Sequence, residues 1–297
     1  YESEDRGNKK GKLIHKNATI NRECKSVISW RLMKASHQIT YYTLILLKKC
    51  MSAMSAKMRY QFASRLANVL YNYVPKRKKQ VIKNLNKAFP EWSGLKVEKL
   101  VKKIYIFFTH NMVQFFAFPK SWNGIEMDVV GENILHDAMN QNKGCILISA
   151  HFGVWELFVK WMGETKYRFA GVAFRQKNRG ANRFFQEQRE LSKVEHIFRK
   201  EPIEKMEAVL NGNRILALVS DQDAKSKGVF VDFFGKPAST PKGAALFYKK
   251  FGSPIVFGVC IQIELHKYRV EFVPVIPKSK NLQDITQAYT TIIEIMV

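Results

Sequence analysis

Between Gly144 and Val159 the chain reads Gly144-Cys-Ile-Leu-Ile-Ser-Ala-His151-Phe-Gly-Val-Trp-Glu156-Leu-Phe-Val159. A short apolar run closed by small residues reads as a buried strand over 145–150. His151 then falls on the turn, Gly153 permits a tight backbone, and the run from Trp155 predicts a helix over 155–162. The same alternation continues outward. Strands are expected at 170–174, 215–219, 229–234, 255–263 and 268–275, the last two joined as a hairpin through 264–267. Helices are expected at 181–192, 203–210, 241–251 and from Leu282 onward. Thr240 before Pro241 reads as an N-cap and Gly252 as a stop. The pattern predicts an α/β fold: a mixed sheet flanked by helices. Ligands of such sheets sit at the carboxyl ends of strands, so the junction at His151 is where chemistry is expected.

Upstream, the first 120 residues read as helices. Val101, Ile104, Phe107, Phe108, Met112, Phe115 and Phe116 recur at steps of three and four, with Ser93 before the segment and Pro119 ending it. The charge is concentrated here. Residues 1–100 hold 22 Lys and Arg against 6 Asp and Glu, and from Lys25 to Pro90 there are 14 basic residues and no acid. Aromatic and aliphatic groups are interleaved with those cations. The uncharged runs Ala35–Leu47 and Ile104–Pro119 are 13 and 16 residues, shorter than the roughly 20 a spanning helix needs. Two readings fit the pattern: an ordinary solvated face on a helical subdomain, or a basic amphipathic N-terminal helical subdomain lying on an anionic membrane surface, which the acid-free length favours. No nucleic-acid-binding signature accompanies it. The expected organisation is a polar tail over 1–24, a basic membrane-associating helical subdomain over 25–120, and an α/β domain over 121–297.

The chain has 297 residues and a formal net charge of +24, which predicts an anionic partner. Hydrophobic residues make up 46%, which excludes a disordered or low-complexity chain. Cys24, Cys50, Cys145 and Cys260 are far apart with no His at ligand spacing, so neither a zinc site nor a disulfide framework is expected. The first 27 residues lack the apolar core of a signal peptide. The chain stops within a helical pattern at Val297, as a truncated one would.

A His at the mouth of a strand, with a carboxylate one helical turn further on, suits a general base and its orienting partner. Glu156 would accept from one imidazole nitrogen and leave the other to take a proton from a substrate hydroxyl. Spacing alone is weak, because His196/Glu201 and His266/Glu271 share it. His266 and Glu271 are expected along a strand, pointing to opposite faces, and His196 has no expected strand before it. His151 alone follows a buried strand and opens a helix, which on the residues alone leaves both a catalytic base and a satisfied structural histidine open.

Ala150-His-Phe-Gly-Val-Trp-Glu156 resembles the His-x4-acid motif of the lysophospholipid acyltransferase superfamily, in particular its bacterial lipid A late acyltransferase branch (lauroyl and myristoyl transferases). Other blocks agree in order. Asn84-Leu-Asn-Lys-Ala-Phe-Pro-Glu91 is similar to the family's N-terminal signature. Arg175-Gln-Lys-Asn178, with Arg183 and Arg189, resembles the segment after its second strand. Ser220-Asp-Gln-Asp223 followed by Gly228-Val-Phe-Val-Asp-Phe-Phe-Gly235 and Thr240 is similar to its later block. The resemblance covers roughly residues 75–297.

It implies acyl transfer with no metal or cofactor, the acyl thioester being a co-substrate. The donor would be acyl carrier protein or acyl-coenzyme A, and the acceptor a hydroxyl of a lipid A precursor or related glycolipid. His151 and Glu156 would be catalytic, with Phe152, Gly153, Arg175, Asn178, Asp221, Gln222 and Asp223 binding substrate. Arg175 is either a phosphate clamp or a solvated side chain. Asp221 and Asp223 either position Arg175 or the acceptor, or simply form a turn. The expected location is the cytoplasmic face of the bacterial inner membrane, peripheral or monotopic. Val154 stands where the family commonly has Asn, and the family's Trp- and Arg-rich C-terminal ending is absent. The rival readings are a glycerolipid (lysophospholipid) acyltransferase and a non-catalytic basic module binding membrane or nucleic acid.

Overall fold

The computed structural model describes residues 34–297, so the expected polar tail 1–24 and residues 25–33 of the basic segment lie outside the described residues. The described chain falls into two compact units: residues 34–46 with 176–185, and residues 47–175 with 186–297.

Four helices come first: α1 (Ala35–Ala53), α2 (Ala56–Tyr73), α3 (Pro75–Ala88) and α4 (Gly94–Ala117). Ser93 caps α4 by accepting from the Lys96 N–H, as its sequence position predicts. Beneath α2 and α4, Met51, Ala63, Val113 and Ala117 form a small core. Among the described residues no helix is long and apolar enough to cross a membrane.

The sheet follows, built from β1 (Glu126–Val130), β2 (Cys145–Ser149), β3 (Phe169–Ala173), β4 (Glu195–Phe198) and β5 (Ile215–Val219). A separate hairpin, β6 (Val229–Phe233) with β7 (Lys236–Thr240), precedes the last two sheet strands, β8 (Ile255–Glu264) and β9 (Lys267–Val275). Spatial order is β1-β9-β8-β2-β5-β3-β4. The β8/β9 pair is antiparallel and the other pairings are parallel, so the sheet is mixed as expected. Helices α5 (Glu132–Asn140), α6 (Trp155–Glu164), α7 (Arg179–Glu190), α8 (Ile203–Asn211), α9 (Gly243–Phe251) and α10 (Leu282–Met296) alternate with the strands. Two cores result. One joins Ile146, Ile148, Leu216, Phe257 and Tyr289, and the other joins Leu147, Phe158, Met162, Val270 and Phe272. All of β2 is buried because it is central and covered on both faces.

Several elements depart from the sequence reading. Strands β1 and β4 were not expected; they are the sheet edges, half-exposed, and so lack a continuous apolar run. His196 lies in β4 itself, and His266 lies in the β8–β9 turn at φ 67 rather than along a strand. Thr240 does not cap a helix. Its backbone is paired with Val229 in the β6/β7 ladder, so α9 begins only at Gly243, after Lys242. Gly252 does end α9, at φ 64.

Candidate active site

The site is built by strand register. Strands β2 and β5 are parallel neighbours with Ser149 opposite Val219, and the Ser220 N–H donates to the Ser149 carbonyl at 3.1 Å beyond the ladder. The residues two places past each strand, His151 and Asp221, therefore emerge side by side. His151 donates twice to one carboxylate, from its backbone N–H to Asp221 Oδ2 at 2.8 Å and from Nδ1 to Asp221 Oδ1 at 2.9 Å. A carboxylate can only accept here, so Nδ1 carries the proton. Among the described residues Nε2 has no protein partner, and the His151 side chain is 41% exposed. The hydrogen bond to Asp221 holds the imidazole above its usual pKa against the opposing effect of burial, helped by the charges of Asp221 and Glu156.

Glu156, expected to accept from the imidazole, is instead bonded to its neighbour Trp155. It stands in the first turn of α6, where its Oε1 accepts from Trp155 Nε1 at 3.3 Å. Burial pushes its carboxyl up, offset by the charge of Arg189. Its influence on His151 is electrostatic, and the hydrogen-bonding carboxylate is Asp221. The Trp155 ring lies edge-on to the imidazole, centroids 5.9 Å apart.

Gly153, at φ 64, is pressed against β8: a Cβ there would lie 2.2 Å from the Cys260 carbonyl oxygen. The next N–H, of Val154, donates to that same oxygen at 2.7 Å. This fixes the turn that delivers His151, since only glycine fits both the dihedral and the space. Phe152 turns into the core and stacks on Phe257, centroids 6.4 Å apart. The Gln222 amide nitrogen stands 3.4 Å from His151 Nδ1, too far for a good bond. Asp223 Oδ1 accepts from the Lys225 N–H at 2.8 Å.

Asp221, Gln222 and Asp223 line a cavity of about 570 Å³ with Phe230, Ser239 and Ile293, under the β6–β7 hairpin and against α10. Thr240 lines it too. The sequence reading reached neither Phe230, Ser239, Thr290 nor Ile293 as site residues, because no motif ties α10 to the hairpin. Arg175, beyond β3, is paired with Glu201 at 3.4 Å and lies over the Phe198 ring at 4.5 Å. It is not among the cavity residues. Asn178 caps α7: its Oδ1 accepts from the Gly180 and Ala181 N–H groups, and its Nδ2 donates to Thr40 Oγ1 at 3.0 Å. Among the described residues no group of His, Cys, Asp and Glu could hold a metal ion.

A mixed α/β sheet presenting a histidine–carboxylate pair at the ends of its parallel strands is the architecture expected of the acyltransferase resemblance. The sequence profile of the bacterial lipid A biosynthesis acyltransferases matches residues 28–297, and the chain belongs to that family. It is 31% identical over 126 residues to a phosphatidylinositol mannoside acyltransferase of Mycolicibacterium smegmatis, a match covering 41% of each chain. It is 28% identical over 130 residues to a protein of the same description from Mycobacterium tuberculosis, covering 42% of this chain and 41% of the relative. The matched part thus spans about two-fifths of those relatives.

Proposed function

We propose that this protein transfers a fatty acyl chain from a thioester to a hydroxyl of a glycolipid at a membrane surface. The observation that carries the reading is the exposed His151, tied through Nδ1 to Asp221 at the mouth of the parallel strands and beside a cavity. Nε2 would take the proton of the acceptor hydroxyl as its oxygen attacks the thioester carbonyl. The tetrahedral intermediate then collapses, and the departing thiolate takes that proton back from the imidazolium. Asp221 fixes the tautomer and stabilises the cation, while Glu156 adds a second negative charge from within α6. A base so placed contributes about 10²–10⁴-fold in rate.

The cavity favours a sugar over a bare glycerol. Its carboxylate, amide and hydroxyl groups from Asp221, Gln222, Asp223 and Ser239 suit a ring of hydroxyls, and the exposed Phe230 offers a stacking face. A lipid A precursor, or a mannosylated phosphatidylinositol of the kind named for the mycobacterial relatives, meets that description. The donor we assign is acyl carrier protein or acyl-coenzyme A, both anionic. Arg175 is the phosphate clamp of this reading: it is 65% exposed, and an acceptor phosphate would compete with Glu201 for it. The protein would work peripherally on an anionic membrane, on the cytoplasmic face of the bacterial inner membrane.

The test is acyl transfer with purified protein, an acyl thioester and a glycolipid acceptor, products read by mass spectrometry. His151→Ala should abolish transfer without changing the fold. Turnover close to wild type in that variant would end the assignment.

A further inference from the structure

Helix α3 is strongly cationic, and the fold supplies little to neutralise it. Lys76, Lys79, Lys83 and Lys87 follow one another at steps of three and four, which sets them in one row along the helix. All four are exposed, no residue of α3 is buried, and the helix contains no acid. Its ion pair is made from another row, Lys78 to Glu98 at 3.6 Å. Like charges at these spacings work against a helix, so the row is a cost that folding alone leaves unexplained. The flanks are apolar and exposed: Tyr73 just before the helix is 79% exposed, and Leu95 just after the following loop is 74%.

We infer that this row docks on the anionic surface of a lipid bilayer, headgroup phosphates meeting the lysines while Tyr73 and Leu95 enter the acyl boundary. A cationic row flanked by exposed apolar side chains fits a bilayer better than it fits an acidic protein, which would need neither Tyr73 nor Leu95 exposed.

The position of the row matters for the cavity. The end of α3 is fastened to the β6–β7 hairpin, since Lys236 Nζ donates to the Lys87 carbonyl at 2.9 Å. Phe89 stacks on Trp92, centroids 4.0 Å apart and planes 7° apart, and meets Phe234 of the hairpin edge-on at 5.2 Å. A bilayer held at α3 therefore stands beside the hairpin that walls the cavity, which is the side from which a lipid acceptor would arrive. That consequence rests on the acyltransferase reading; the docking surface itself does not.

The experiment is sedimentation of the full chain with phosphatidylglycerol vesicles and with phosphatidylcholine vesicles. Each cation near an anionic surface is worth about fivefold in affinity, so a Lys76→Gln, Lys79→Gln, Lys83→Gln triple variant should bind phosphatidylglycerol about 100-fold more weakly. The corresponding Lys→Arg triple variant should bind as wild type does. A control removing the same charge elsewhere, Lys143→Gln, Lys278→Gln and Lys280→Gln, should leave binding near wild type, as should His151→Ala. Wild-type binding by the α3 triple variant, or an equal loss in the control, overturns the inference. A chain that docks through α3 yet transfers no acyl group to any acceptor would defeat the proposed function instead.

Discussion

Replacing Asp221 by Asn removes one negative charge from the site and almost no volume. In the native site the carboxylate receives two hydrogen bonds from His151, at 2.8 and 2.9 Å. A hydrogen bond to a charged group contributes about 1.5–3 kcal/mol, the lower end applying where solvent screens it. His151 is 41% exposed, so the loss in kcat should be about 10-fold, rising to about 100-fold if substrate excludes water from the pair. The second effect is on pH. The bond to Asp221 holds the imidazole above its ordinary value, and the base must be neutral to work. Removing the carboxylate lowers that pKa, so the acidic limb of kcat/KM should move to lower pH even as the plateau falls. Initial rates measured across the neutral range, with wild type and Asp221→Asn in parallel, read both effects. An unmoved limb with unchanged kcat would refute the pairing, as would finding both effects in Glu156→Gln instead.

Glu156→Gln should lower kcat by less than about tenfold with the acceptor KM unchanged, because its carboxylate acts on His151 without a hydrogen bond. A large rise in KM would place Glu156 against substrate. Gly153→Ala should cost at least about 2 kcal/mol, seen as a lowered thermal midpoint, since φ 64 and the Cys260 carbonyl both exclude a Cβ. A midpoint equal to wild type would show that the turn can relax. His110 should make the fold acid-sensitive. It is buried on α4, its Nε2 3.2 Å from the Gln114 amide nitrogen, while Gln114 Oε1 accepts from Arg59 Nε at 3.0 Å. Burial, with the charges of His266 and Arg59, pushes His110 down to about 4 from 6.5. The unfolded chain takes up that proton first, so stability is lost as pH falls from about 6.5 to about 4, by up to about 3 kcal/mol. Urea midpoints at neutral and acid pH should show this, with a flatter dependence in His110→Gln.

The strands legible in the sequence were those whose burial is carried by their own residues. Cys145–Ser149 is apolar and buried nearly throughout, and Ile255–Glu264 is buried over its first six residues, because the sheet is covered on both faces there. Glu126–Val130 and Glu195–Phe198 were not legible, because an edge strand borrows its order from one neighbour and needs no apolar run of its own. Thr240 and Pro241 carried the local chemistry of a helix start, yet the ladder to Val229 claimed that backbone first. Tertiary pairing overrode a good local signal.

The candidate site divides along the same line. Residues adjacent in the chain are enough to set the strand, the turn at Gly153 and the placing of His151 on it, along with the cationic character of the first helices. They do not say which acid meets the imidazole. Glu156 is close in sequence, but Asp221, 70 residues away, is the one delivered to Nδ1. That choice belongs to the register of β2 against β5, and register is a property of two distant segments packing together, which no stretch of either one records.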